Sequence, residues 1–379
     1  MKIALVHDQL REFGGAERVL VALKKIFPSA DIYTSTYDRI SLGSHKNLFK
    51  NWNIQTSWFG KIPVLNRFYS PLRFLTPWIW ESFDLSKYDV VISSSGSWMS
   101  KGVKTHRPTI HISYIHHPPR YLYGYETAIE WQKYLLIKIY GNLINHNLRL
   151  FDYSSSQRVD YFIANSQETK RRIEKFYRRD ATVICPPVAI PKNSPNPQTR
   201  KPANYFLTVS RLARAKHIDI LIKAANKLKF PLKIVGVGRD EEYLKSIAGK
   251  TVEFLGNVPD EKLAKLYQQA KAFLFSSVDE EFGIAPAEAM GYGLPVIAYK
   301  SGGVPEIVKD KINGFLFEQL KPESVIKKIK LLQSLSNEKY LLLCKNARQT
   351  AEQFSFEVFK NRIIKFIAQT QSSFRTNPD

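Results

Sequence analysis

The stretch FLFSSVDEEFGIAPAEAMGYGLPVIAYKSGGVPE, residues 273–306, limits the possible folds of this chain more than any other. Apolar Phe273, Leu274 and Phe275 read as a strand buried on both faces, and two serines then open a loop. From Pro286 the pattern turns helical through Ala287, Glu288, Ala289 and Met290, proline being suited to a first helical position. Gly291 and Gly293 stop that helix, and residues 294–299 begin a second buried strand. The loop and helix start carry their own chemistry. Unpaired amides and a partial positive charge at a helix N-terminus attract phosphate, and Gly283 lets a ligand approach them closely. Glu280 and Glu288 can accept hydrogen bonds from sugar hydroxyls. Taken singly, Glu280 and Glu281 read equally well as complements to a helix dipole.

The same grammar recurs along the chain. Residues 2–7 form an apolar strand, and Gly14-Gly15 then lead into a helix with apolar positions at 19, 20, 22 and 23, a doubly wound opening. Further strands read at 31–36, 88–94, 110–114 and 158–164, and Ser166 is the expected N-cap of the next helix. Residues 189–203, rich in Pro, Asn, Ser and Lys, read as a linker between a domain at 1–188 and one at 204–355. The second domain opens with a strand at 205–209, then Ser210, Arg211 and Lys216 in a strand-to-helix loop, where two cations can converge on a diphosphate. Helices follow at about 218–229, 261–270, 321–335, 338–352 and 356–374, with a strand at 232–235, a strand plus loop at 252–259 and a turn at Asn313-Gly314.

Glu280-Glu281-Phe282-Gly283-Ile284-Ala285-Pro286-Ala287-Glu288-Ala289-Met290 resembles the Glu-x7-Glu signature of the retaining GT-B glycosyltransferases of family 4. His116-His117-Pro118-Pro119-Arg120-Tyr121 is similar to that family's His-x-Pro-x-Arg-Tyr loop, and the Gly14-Gly15 turn and Asn165-Ser166 exit also match. The resemblance implies an α/β, GT-B fold: two Rossmann-like doubly wound domains facing across a cleft, with the C-terminal helix, about 356–379, crossing back to the first. It implies a nucleotide-sugar as substrate and no cofactor or metal. By the same resemblance Gly14 and Gly15 lie near the donor phosphates and acceptor, and His116 lies at the donor sugar with Arg120 nearby. Arg211 and Lys216 meet the diphosphate, beside Ser210. Asn257 and Val258 lie against the base, and Phe282, Gly283 and Ile284 line the donor. Glu280 takes sugar hydroxyls and Glu288 the ribose. Members with similar loops resemble mannosyltransferases of surface-polysaccharide and O-antigen assembly, which makes GDP-mannose the first donor to expect. The alternatives are a GT-B nucleotide-sugar epimerase and a non-catalytic basic membrane-binding protein.

Charge bears on the acceptor. The chain carries a formal +22, spread over both halves, which favours an anionic partner. All six tryptophans lie between residues 52 and 131. Residues 45–82 interleave Leu48, Phe49, Trp52, Trp58, Phe59, Phe68, Tyr69, Phe74, Trp78 and Trp80 with Lys46, Lys50, Lys61, Arg67 and Arg73. Tyr121, Trp131, Tyr134 and the apolar positions 135–140 continue the theme. Rings at headgroup depth with cations on anionic lipid suit a membrane surface, while a helical subdomain core accounts for part of the same composition. No nucleic-acid module accompanies the aromatics. Two cysteines imply no disulfide framework, no signal-peptide pattern opens the sequence, and no apolar run reaches the roughly 18 residues that span a bilayer. The expectation is a cytoplasmic enzyme, peripheral on the inner face of the cell membrane, with a lipid-linked or glycan acceptor and no nucleic acid.

Overall fold

The computed structural model describes residues 1–62, 65, 70–127, 135–191 and 203–376. Arg67, Phe68, Tyr69, Trp131, Tyr134 and residues 192–202 of the expected linker lie outside them. The chain parts into two compact units, one of Met1–Tyr125, Glu130–Pro187 and Phe356–Asp379, the other of Glu126–Ile129 and Val188–Ser355.

The first unit is built on seven parallel strands: β1 (Ile3–His7), β2 (Asp31–Thr34), β3 (Ile54–Thr56), β4 (Val90–Ser95), β5 (Ile110–Ile115), β6 (Tyr161–Ala164) and β7 (Thr182–Val183). Their order is β3-β2-β1-β4-β5-β6-β7, so the winding reverses between β1 and β4. All residues of β1, β4 and β5 are buried, as a sheet covered on both faces requires. The edge strands β3 and β7 are short and add to the expected set.

Three helices of this unit matter for the site. In α1 (Gly15–Ile26), Glu17 stands in the first turn and its carboxylate accepts the Gly14 N–H at 2.7 Å, half of a capping box. In α2 (Leu135–Gln157), a single 23-residue helix, Leu148, Phe151 and Asp152 face inward, while Leu135, Leu136, Ile137, Ile139 and Leu143 are exposed. The third, α3 (Gln167–Tyr177), is capped as expected, Ser166 Oγ accepting the Thr169 N–H at 3.0 Å.

The second unit has six parallel strands: β8 (Phe206–Val209), β9 (Leu232–Val235), β10 (Val252–Gly256), β11 (Ala272–Phe275), β12 (Val296–Tyr299) and β13 (Gly314–Phe317). Their order, β10-β9-β8-β11-β12-β13, again reverses once, between β8 and β11. The expected turn at Asn313-Gly314 holds at Asn313, while Gly314 is already the first residue of β13, which pairs along all of β12. Helix α4 (Ile218–Leu228) follows the β8 loop, and α5 (Ile284–Gly291) follows the β11 loop and packs on α6 (Asn337–Glu352). Helix α5 starts two residues before Pro286, because Gly283 takes a φ of 96° and turns the chain into the helix there.

The last helix, α7 (Phe356–Thr376), belongs to the first unit. Phe359, Ile363 and Ile367 recur every four residues, are buried, and pack with the α1 and β1 core, Phe359 lying edge-on to Tyr114 at 6.2 Å.

The aromatic block at 45–82 divides. Phe49, Phe59 and Trp80 are fully buried core, whereas Leu48, Trp58, Phe74 and Trp78 are exposed, Trp78 by 61%. Part of the block is therefore core and part lies at the surface.

Candidate active site

In an open α/β sheet, ligands bind beyond the carboxyl ends of the strands where the winding reverses. In the second unit that point lies between β8 and β11, and it gathers the loop 210–217 with the loop 276–283. Val278 N–H donates to the Ala215 carbonyl at 3.1 Å and Ser276 Oγ to the Lys216 carbonyl at 2.7 Å, tying the loops together. Lys216 Nζ lies 2.6 Å from Glu280 Oε2 and 3.2 Å from Ser277 Oγ, and Ser277 Oγ donates to the same carboxylate oxygen at 2.8 Å. Lys216 and Glu280, 64 residues apart, are therefore one half-buried ion pair. The sequence reading had given them separate duties, a cation for diphosphate and an acceptor for sugar hydroxyls.

The other expected donor residues are disposed around this pair. Ser210 Oγ donates to the Arg211 carbonyl at 3.1 Å, and the Arg211 side chain is exposed. The Glu280 carbonyl accepts the Gly303 N–H at 2.7 Å, so the 301–306 segment braces the loop from behind. A Cβ on Gly302 would fall 2.1 Å from the Glu280 carbonyl oxygen, a close approach that only glycine permits. Gly283 and Ile284 supply the first amides of α5, and Glu288 is buried within that helix; burial first, and then the Glu288 charge, raises the Tyr292 hydroxyl's pKa. The Phe282 ring is buried edge-on to Phe354 at 5.1 Å. Asn257 is exposed and Val258 half-buried in the loop after β10. Among the described residues no cluster of three or more His, Cys, Asp or Glu is placed to hold a metal ion.

In the first unit the reversal between β1 and β4 opens a recess lined by His7, Asp8, Glu17, Ser94, His116 and His117 among others. Of these, only His116 was singled out as a site residue from sequence. Asp8 accepts three backbone N–H groups, Gly96 at 3.0, Trp98 at 2.8 and Ser100 at 2.9 Å, which fix the 96–100 loop around one carboxylate. His7 Nε2 lies 3.3 Å from Glu17 Oε1, His7 Nδ1 3.0 Å from Ser94 Oγ, and Ser94 Oγ 2.7 Å from His116 Nε2. Burial would raise the Glu17 pKa, but hydrogen bonds from His7 and Gly14 and the His7 charge outweigh it and hold the carboxyl below its ordinary value. His117 turns its Nδ1 to the Pro118 carbonyl at 3.0 Å, and Arg120 opens a short turn with Tyr121 and Leu122. Gly14 caps α1 and Gly15 is its exposed first residue.

Behind the recess, Lys101 and Asp152 are an ion pair at 2.9 Å, exposed by 1% and 0%. Tyr123 OH donates to Asp152 Oδ2 at 2.6 Å and Tyr177 OH to Oδ1 at 3.2 Å. Burial pushes the Lys101 pKa down and raises that of both tyrosines.

Residues 13–192 match the model described as Glycosyltransferase Family 4, and residues 190–351 the one described as Glycosyl transferases group 1. The GtfA subunit of a Streptococcus pneumoniae UDP-N-acetylglucosamine–peptide N-acetylglucosaminyltransferase is 26% identical over 262 residues, 66% of this chain and 49% of that protein. An uncharacterized glycosyltransferase of Haemophilus influenzae is 33% identical over 196 residues, 48% of this chain and 54% of its own length. The chain thus spans about half the length of these curated relatives. Among solved structures, Anabaena HepE in complex with UDP and glucose superposes with a TM-score of 0.71 at 22% identity, covering 97% of this chain and 99% of that one. Sucrose-phosphate synthase of Thermosynechococcus elongatus gives 0.73 at 16% identity over 98% and 100%. Those likenesses carry the fold. With both parallel sheets in place and the two glycosyltransferase models meeting near residue 190, the chain has the GT-B fold.

Proposed function

We propose that this chain transfers a hexose from a nucleotide-sugar to a hydroxyl of a lipid-linked or glycan acceptor at a membrane surface, with retention at the anomeric carbon. The observation that carries the reading is the Lys216–Glu280 pair beside the first amides of α5. As the sugar leaves, negative charge grows on the nucleotide diphosphate, and stabilising that charge is the chief catalytic demand. A diphosphate competes with Glu280 for Lys216, with Arg211 and the Gly283–Ile284 amides as further donors. Glu280, released, then accepts sugar hydroxyls. Fixed cations and peptide dipoles supply the neutralisation, so the proposed reaction uses no divalent ion.

The loop resemblances favour GDP-mannose, while the uridine nucleotides named with HepE and GtfA favour a UDP-hexose. The membrane reading is supported by the exposed Leu135, Leu136, Ile139 and Leu143 of α2, the exposed Trp58 and Trp78, and the net charge of +22. No described helix is long and apolar enough to cross a bilayer.

A thermal-shift panel of GDP-, UDP-, ADP- and CDP-sugars tests the donor. One class at a hundred times its Kd stabilises by about 2.7 kcal/mol. Lys216→Ala weakens that ligand about 10- to 100-fold, the worth of one charged hydrogen bond. Absence of a shift with every nucleotide-sugar refutes the reading. Product formation on addition of a lipid-linked acceptor separates a transferase from an epimerase, which isomerises donor alone. Co-sedimentation with phosphatidylserine vesicles, reduced in Leu136→Glu, tests the surface.

A further inference from the structure

Two serines follow β11, and the fold gives them different tasks. Ser276 Oγ donates to the Lys216 carbonyl at 2.7 Å and so belongs to the link between the two loops. Ser277, 1% exposed, turns its hydroxyl to the charged pair instead. A hydroxyl has one hydrogen to give and two lone pairs to accept with. Two acceptors compete for that hydrogen, Glu280 Oε2 at 2.8 Å and the Ala215 carbonyl at 3.4 Å. The nearer one carries the negative charge and takes it. An ammonium only donates, so Lys216 Nζ, 3.2 Å away, gives to the Ser277 oxygen as well as to Glu280. Every direction in this triangle is fixed by the chemistry of its members.

The three corners differ in freedom. Glu280 is held through its backbone: its carbonyl accepts the Gly303 N–H at 2.7 Å, and the preceding Asp279 N–H donates to Ser301 Oγ at 2.9 Å. Ser277 is short and buried. Lys216 reaches the pair on a four-carbon stem with three rotatable donors, so it is the member that can turn away. When it does, a carboxylate only 19% exposed loses its cation and needs another donor.

We propose that Ser277 is a positioning residue that keeps the Glu280 carboxylate in place when Lys216 turns to the diphosphate. The donor site then opens by the motion of one side chain, and Glu280 meets the sugar already oriented. This rests on the glycosyltransferase reading for the identity of the ligand, but not for which corner of the triangle moves. An alanine would fill the same buried position without burying a hydroxyl, so packing alone does not call for serine there. The consequence is a division of tasks that affinities read separately. Lys216 acts on the diphosphate, and Ser277, through Glu280, acts on the sugar.

The experiment is isothermal titration calorimetry of the full chain with UDP and GDP, and with UDP-glucose, UDP-N-acetylglucosamine and GDP-mannose. For the nucleotide that binds, Ser277→Ala leaves the Kd of the bare diphosphate within about twofold. It weakens the matching nucleotide-sugar about tenfold or more, the loss of one hydrogen bond to a charged group. Lys216→Ala, by contrast, weakens diphosphate and nucleotide-sugar alike. A serine that only supports the loop moves both ligands together, so equal losses in Ser277→Ala, or no loss at all, overturn the proposal. If no nucleotide-sugar binds the parent, the functional reading fails alone, and the crystal structure of Lys216→Ala grown without nucleotide still decides. Glu280 Oε2 within hydrogen-bond reach of Ser277 Oγ in that variant is the expected result. A carboxylate swung away from Ser277 overturns the proposal.

Discussion

Removing the charge of Asp152 without changing its shape strands Lys101. Asp152→Asn keeps an oxygen for Lys101 and Tyr177 and places an amide nitrogen where the Tyr123 hydroxyl, now at 2.6 Å from Oδ2, can accept from it. The geometry survives and the counter-charge does not. An ammonium 1% exposed and without its anion costs about 3–5 kcal/mol. Its way out is to lose the proton. From an ordinary value near 10.4, deprotonation at pH 7 costs about 5 kcal/mol, which caps the damage. The sign follows from the proton count. Unfolded variant binds the Lys101 proton and folded variant does not, so variant stability rises with pH by up to about 1.4 kcal/mol per unit toward pH 10. The assay is urea denaturation followed by tryptophan emission. Residues 188–355 contain no tryptophan, so the signal follows the first unit even though the whole chain need not unfold in one step. Lys101→Met added to Asp152→Asn removes the stranded ammonium and restores stability to within about 1–2 kcal/mol of the parent. An Asp152→Asn variant within about 1 kcal/mol of the parent at pH 7, or a double variant no better than the single, refutes this account. Lys101 follows directly on the 96–100 loop whose amides hold Asp8, so a displaced Lys101 disturbs the recess.

Two further outcomes are expected. Gly302→Ala drives a Cβ to 2.1 Å from the Glu280 carbonyl at a φ of +57°, so Glu280 must move; donor affinity falls about tenfold or more while the tryptophan-detected transition is unchanged. An unaltered donor affinity separates Glu280 from the donor. His111 is buried, and burial first, then the Lys101 and Arg158 charges, push its pKa down to about 3. The unfolded chain takes that proton below about 6.5 and the folded chain refuses it, so the residue contributes a loss of about 1.4 kcal/mol per pH unit from there toward 3. His111→Gln flattens this part of the stability profile, and an identical profile in parent and variant counts against it.

The central strands were legible because a strand covered on both faces reads as an unbroken apolar run, as Ile3–His7, Phe206–Val209 and Ala272–Phe275 do. The edge strands were not. Thr182–Val183 is two residues long, Ile54–Thr56 is only half-buried, and Gly314–Phe317 hides behind an Asn-Gly pair that signals a turn. Aromatic composition also carried no inside or outside. Trp78 and Trp80 lie two apart, one 61% exposed and the other fully buried with its indole N–H on the Trp98 carbonyl. Which ring is covered depends on the loop that folds over it, and that loop is set by distant strands.

The two halves of the site differ in legibility for the same reason. Lys216 and Glu280 were each visible because a recognisable local motif surrounds them; their pairing was not, because it spans 64 residues and depends on β8 lying beside β11. His7 and Ser94 have no motif at all. They are 87 residues apart, yet they are register partners on the adjacent strands β1 and β4, at the reversal of the first sheet. Once the strand order is known, a polar residue at the carboxyl end of each of those two strands marks the site without any motif. A linear sequence lacks that order, and the neighbours it creates are the ones on which the chemistry of both units rests.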